Sequence, residues 1–257
     1  MALPAEEPLI AKMTIRRELT LHESCQRLRE WQPQCPRTYG VAVLGDVNKR
    51  RWFPMDSVLT VDRLRLMFED AAAAVDRRTA GRMVAARLAH EILGRMLPLV
   101  LVEGRAWDAG LENLWVHFDA DNDIDWVAVV DPTLRVLPDD PCVPEQGKRS
   151  HVVERLNGDT LVVLPSESAL TTWVAHRCHR TLTPLFTWLY TVSAAAVSVA
   201  AMWQIVGSAV VAAASQLPYT AEGAQFISWR RSQAILDAMA GFGCQLDCDC
   251  SWVTRLS

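Results

Sequence analysis

The chain has 257 residues, a formal net charge of -4, half of its residues apolar and about a fifth charged. That composition describes a folded globular protein and excludes a disordered one, and it lacks the basic field expected of a nucleic-acid binder. The seven cysteines are odd in number and scattered except at the tail, which excludes a small secreted disulfide framework and points to a reducing cytoplasm.

The amino terminus has no basic start followed by an apolar core, so no secretory leader is expected. Residues 14–30 carry Ile15, Leu19, Leu21, Cys25 and Leu28 at near-helical spacing, and Pro33 and Pro36 force a break. Thr38 to Gly45 reads as a short strand. Asp62 to Leu97 predicts two helices meeting near Arg78–Gly81, with Thr79 or Asp76 capping the second and Pro98 ending it. Leu111–Phe118 and Ile124–Val130, joined by Asp-Ala-Asp-Asn-Asp, predict a hairpin. Residues 132–144 are Pro-rich and read as irregular, and residues 151–164 predict a second hairpin around Asn157-Gly158. After Pro165 the chain reads helical to about Ala240. The expected fold is α+β. A mixed part over 1–165, with a hairpin and small antiparallel sheet, precedes a helical part over 166–257 that ends in a cysteine cluster.

From Thr181 to Ala221 there is no charged residue, enough in count to span a bilayer. The run Ser193–Ser215 is dominated by Ala, Ser and Val, whose insertion energies are weak. A buried helix pair is therefore expected, with peripheral membrane contact or a true span as alternatives. The ten tryptophans interleave with apolar residues at Trp107, Trp115, Trp126, Trp188 and Trp203, which predicts core packing.

Asp119, Asp121, Asp123 and Asp125 alternate like the start of a calcium loop. Its sixth position is Ile124 rather than Gly and its twelfth is Val130 rather than Glu, so they read as turn formers. His176 and His179 flank Cys178 at a helical spacing of three, which could place two imidazoles near one metal, but no third ligand accompanies them in sequence. No nucleophile elbow, phosphate loop, dinucleotide fingerprint or zinc-hydrolase pair occurs.

The tail is the strongest chemical signal. Cys244, Cys248 and Cys250 fall within seven residues, and thiols at that spacing can converge on one soft metal. The segments Ala85-Ala-Arg-Leu-Ala, Leu99-Val-Leu-Val-Glu-Gly-Arg-Ala, Glu112-Asn-Leu-Trp-Val, Val130–Pro138, Pro184-Leu185 and Met202-Trp-Gln-Ile-Val-Gly-Ser-Ala-Val, in that order, resemble the FhuF-type ferric-siderophore reductases. They are more distantly similar to the carboxyl-terminal part of the aerobactin-type siderophore synthetases. The likeness spans about residues 80–257.

In the reductase family the tail reads Arg-Arg-Ser-Cys-Cys, then ten residues, then Cys-x-x-Cys, and its four thiols hold a [2Fe-2S] cluster. Here Arg230-Arg231-Ser232 match, Gln233-Ala234 replace the Cys pair, Cys248 takes the last position, Cys244 sits one place early and Cys250 is extra. The resemblance implies a cytoplasmic oxidoreductase acting on a ferric siderophore. A cluster on Cys244, Cys248 and Cys250 would take electrons from a donor protein, and Arg230 and Arg231 would face the chelate. The missing Cys pair implies the alternative of a cluster-free relative that binds a siderophore or related metabolite, or serves its biosynthesis. The synthetases' Glu-Ala-His-x-Gln-Asn segment, which there helps place nucleotide and metal, is similar to Asp108–Asn113, with Gly110 in place of the His.

Overall fold

A computed structural model describes residues 19–31, 40–48, 50–59, 62–144, 152–154, 159–217 and 223–246. In chain order the elements are α1 (Thr20–Trp31), β1 (Ala42–Val43), β2 (Trp52–Pro54), α2 (Met55–Val58), α3 (Arg63–Ala74), α4 (Arg77–Pro98), a π-helical segment (Leu99–Glu103), β3 (Leu114–Phe118), β4 (Ile124–Val129), β5 (Leu134–Val136), β6 (Val152–Glu154), β7 (Thr160–Val163), α5 (Glu167–Val192), α6 (Val199–Gln216) and α7 (Ala224–Gly241). The α+β class follows, as the hydrophobic periods predict.

Both sheets are mixed rather than purely antiparallel. The predicted hairpin is β3–β4, extended by β2 antiparallel to β3 and by β1 parallel to β4, in the order β1-β4-β3-β2. The second sheet is ordered β5-β7-β6, with β5 parallel and β6 antiparallel to β7. The turn expected at Asn157-Gly158 lies outside the described residues. Residues 132–144 are not wholly irregular, because Leu134 and Val136 turn inward and pair β5 with β7.

Side-chain alternation divides the four-stranded sheet. Leu114, Val116, Phe118, Val127 and Val129 face the main core, whereas Trp52, Trp126, Ala42, Leu44 and Ala128 form a second small core on the other face. Trp107 and Trp126 are fully buried and Trp203 nearly so, while Trp115 and Trp188 are half-buried. Arg95 of α4 closes the second core. It donates to the Gly40 carbonyl (2.7 Å) and the Asp125 carbonyl (2.8 Å), and its guanidinium lies over Trp126, 5.1 Å from the ring centroid.

The first helical region breaks at Val75-Asp76, and Asp76 caps α4 by accepting from the Arg78 (3.0 Å) and Thr79 (3.1 Å) amides. α4 ends at Pro98, as expected, but the chain does not leave the helix axis there. Lacking an amide proton, Pro98 gives up its own ladder bond, and the chain widens into a π turn that closes only at Gly104, whose φ is 67°. A side chain at 104 would sit 3.0 Å from Leu137 Cδ1 and 3.1 Å from Arg231 Nη2, so glycine alone suits this turn.

The uncharged stretch forms the end of α5 and all of α6. Leu182, Leu185, Phe186 and Leu189 of α5 are buried, as are Met202, Trp203, Val206, Val210 and Ala214 of α6. The buried face of α6 packs on α4 and α7, and Gln204, Ser208, Ser215 and Gln216 are exposed. Gly81 permits the close approach of α4 to the α5–α6 connection, since a Cβ there would lie 2.6 Å from Val197 Cγ1. Among the described residues, Val199–Gln216 is the one helix long and apolar enough to cross a membrane.

Candidate functional site

The basic pair on α7 was expected to face a ligand, but the fold separates its two members. Successive helical residues turn by about 100°, so Arg231 points inward while Arg230 stays exposed. Arg231 Nη1 donates to the carbonyls of Val100 (3.1 Å), Leu101 (3.0 Å) and Val102 (3.4 Å), and its Nε donates to Glu167 Oε2 (3.0 Å). Ser228 Oγ adds a 3.0 Å bond to the Leu101 carbonyl. The Val100 carbonyl also accepts from the Gly104 amide (3.1 Å), whereas Leu101 and Val102 lie at the widening helix end, where carbonyls lose their backbone donors, and Arg231 bonds to all three. Arg230 donates to the other oxygen of Glu167, at 2.7 and 3.0 Å. Glu167 opens α5, where a negative charge also favours the helix dipole.

Three residues further along, Gln233 is exposed and donates to Asp237 on its own helix (2.8 Å), and Ala234 is half-buried. Neither carries a thiol. Cys244 lies just past the end of α7, where its amide donates to the Met239 carbonyl (3.2 Å). It is buried, and that burial pushes its thiol up to about 11. Cys248 and Cys250 lie outside the described residues. Of the other cysteines, Cys25 is buried and pushed up to about 11, and Cys178 is buried and pushed higher still. Cys142 accepts a hydrogen bond from Arg105 (3.3 Å). Among the described residues no three His, Cys, Asp or Glu side chains are placed to hold a metal ion. The four-thiolate set of the resembled family does not fit these residues.

The synthetase-like segment is a structural knot. Arg177 of α5 donates to both oxygens of Asp108 (2.6 and 3.0 Å) and to Glu112, whose carboxyl it holds below the usual range. A Cβ at Gly110 would fall on the Arg177 guanidinium, so no side chain can occupy the position of the family's His without displacing it. Asn113 donates to the carbonyls of Asp108 (2.9 Å) and Asp131 (3.1 Å) and accepts from the amides of Val130 (3.1 Å) and Asp131 (2.7 Å). Its capacity is spent on joining the two loops.

The aspartates of the β3–β4 turn behave as turn formers. Asp119 Oδ1 accepts from the amides of Asp121 (2.9 Å) and Asp123 (3.0 Å), Asp123 pairs with Arg87, and Asp125 meets His117 Nδ1 at 2.6 Å.

Two further features emerge from the packing, the first not legible in the sequence and the second only in part. The first is a groove where α3, α4, α6 and the β3–β4 turn converge. Its three lobes, of about 340, 600 and 410 Å³, share His90. Arg87 and Asp123 lie between the first two lobes, Ala209 and Ala212 between the first and third, and Met67 and Met83 give the second an apolar floor. The second is the corner where α7 ends against α5. His176 and His179 both meet Phe242, at ring-centroid distances of 5.6 and 5.7 Å, and His179 stacks on Trp203 at 5.6 Å. The spacing of the imidazoles was visible in the sequence, whereas their position beside the start of the cysteine tail follows only from the packing of α5 on α7.

Compared with known proteins, the chain matches no family model and no curated protein.

Proposed function

We propose that the protein is a cluster-free relative of the FhuF-type reductases, which binds a siderophore or related metabolite without iron–sulfur redox chemistry. The observation that carries this reading is on α7: the two positions that would supply adjacent thiolates hold Gln233, tied to Asp237, and Ala234. The placement of Arg231 agrees with it, because a guanidinium spent on three backbone carbonyls and a carboxylate is not available to a chelate.

The groove around His90 is the seat we assign to the ligand. It combines an apolar floor with a few polar groups, as small-molecule sites do, and its wall includes Arg95, which covers Trp126. Binding there should alter tryptophan emission. The cytoplasm is the compartment this reading carries, and the described cysteines are free thiols.

Protein purified without oxygen should be colourless and free of inorganic sulfide. Titration with ferric and iron-free siderophores should give a saturable change in tryptophan emission, and His90→Trp, which fills the shared lobe, should weaken it at least tenfold without lowering the melting temperature. Two irons with sulfide per chain would replace this reading with the reductase, served by an electron-donor protein. A flat titration against every chelate would end both.

A further inference from the structure

The groove around His90 is unevenly charged, and the imbalance lies in one lobe. Its largest lobe, of about 600 Å³, is lined by Asp70 of α3 and by Asp121 and Asp123 of the β3–β4 turn, against the single cation Arg87. Arg87 is already engaged, because it pairs with Asp123 and with Glu91 one turn along α4. Asp70 and Asp121 are exposed, and among the described residues neither carboxylate has a hydrogen-bond or ion-pair partner. The other lobes differ. In the first, Arg95 bonds to Glu91 and to the Gly40 and Asp125 carbonyls, Asp125 meets His117, and Asp119 accepts two amides of its own turn. Its charges are thus largely matched within the protein. The third lobe holds Arg82 and no carboxylate. The largest lobe also carries the apolar side chains of Met67, Ala71, Met83 and Val84, and Met83 remains 52% exposed. A flexible thioether side chain left open at a cavity rim is apolar area that a ligand chain can cover.

We propose that this lobe binds a cationic aliphatic amine, its alkyl chain against Met67 and Met83 and its ammonium charge facing Asp70 and Asp121. With the groove as the ligand's seat, on which this assignment rests, the ligand is an amine-bearing metabolite rather than an anionic ferric chelate. Asp70, Asp121 and Asp123 repel a polyanion, and among the described residues the lobe has only Arg87 to offset them. The alkyl chain supplies most of the affinity, since each methylene removed from water tightens binding about fourfold. Exposed charge pairs add less and are screened by salt. The carboxylates therefore act chiefly in selection: they accept an ammonium group, tolerate a neutral chain and reject an anion.

The test titrates the full chain by calorimetry with diaminoalkanes of increasing length, beside diols and dicarboxylates of the same lengths. One equivalent of diamine should bind, tightening about fourfold per added methylene until the lobe is filled. The diol of equal length should bind about tenfold more weakly, the dicarboxylate should not bind, and high salt should narrow the difference. Asp70→Asn/Asp121→Asn should remove the preference for diamine over diol. Equal affinity for diamine and diol on the unaltered protein, which needs no variant to fold, would overturn the proposal, as would a preference that survives the double substitution. A saturable ferric trihydroxamate titration that His90→Trp blocks, beside no diamine binding, would overturn the amine site and leave the proposed function standing. Diamine binding beside a flat response to every chelate would uphold the amine site and remove the siderophore reading. No binding of either would end both.

Discussion

The two ends of α7 use polar side chains in opposite ways. Near its start, Ser228, Arg230 and Arg231 are each bonded to another element: to the π turn, to the first residue of α5, or to both. Beyond its last turn, Phe242 touches two imidazoles that bond to nothing described. A polar group that satisfies a widened helix end is part of the scaffold, and its loss should be felt in stability. A polar group with a free lone pair at a chain exit adds little to the fold and is available for chemistry. The basic pair therefore belongs to the scaffold, and the helix end that meets the two imidazoles lies about three turns away.

The largest expected effect tests the scaffold half. Arg231→Met keeps much of the apolar stem but removes the donor to Val100, Leu101 and Val102, and it leaves Glu167 with Arg230 alone. Breaking a buried, charge-assisted set of this kind costs about 3 kcal/mol, read as a lowered urea midpoint. A loss below about 1 kcal/mol would mean that water replaces the guanidinium and that the two ends of α7 are less different than their bonding suggests.

That contrast was only partly legible in the sequence, and the reasons are physical. The β3–β4 hairpin and the Asp76 cap were readable because their signals are local: a period of two around an Asp/Asn turn, and a carboxylate two and three residues before the amides it accepts from. The parallel neighbours β1 and β5 were not, because each is only two or three residues long and its partner lies 27 or more residues away. Pro98 read as a stop because proline removes a ladder bond, yet the π turn accommodates that loss and creates the carbonyls that Arg231 then satisfies. Nothing in Arg230-Arg231 itself says which side chain turns inward; that depends on Glu167, 64 residues earlier. The His90 groove is assembled from four elements, so no segment of the chain contains its pattern.

A smaller effect tests the exit half. His179 is held below the ordinary histidine value of 6.5 by burial first and His176 second. On acidification the unfolded chain therefore takes up this proton before the folded one does. Stability should be full above the ordinary value and should fall as pH drops through it, until the folded imidazole also protonates. Urea unfolding at pH 7.5 and 5.5 should show this loss, and His179→Gln should reduce it. An identical loss in the variant would assign the pH dependence to other groups and leave His179 without evidence of its free lone pair.

The smallest effect concerns Arg230, and it decides whether the contrast depends on position or merely on charge. Arg230 and Arg231 are adjacent, carry the same group and bind the same carboxylate, but the Arg230 side chain is 55% exposed and reaches no backbone carbonyl. Water screens such a pair, and holding two long side chains in one geometry costs entropy, so exposed pairs contribute only about 0–1 kcal/mol. Arg230→Ala should therefore shift stability by no more than about 0.5 kcal/mol, most of it lost in high salt. If Arg230→Ala instead matched Arg231→Met, Glu167 rather than the π-turn carbonyls would be what Arg231 serves, and the start of α7 would be held by a carboxylate clamp. A near-zero result beside a large one at position 231 assigns the anchoring to the backbone carbonyls of the π turn that Arg231 reaches.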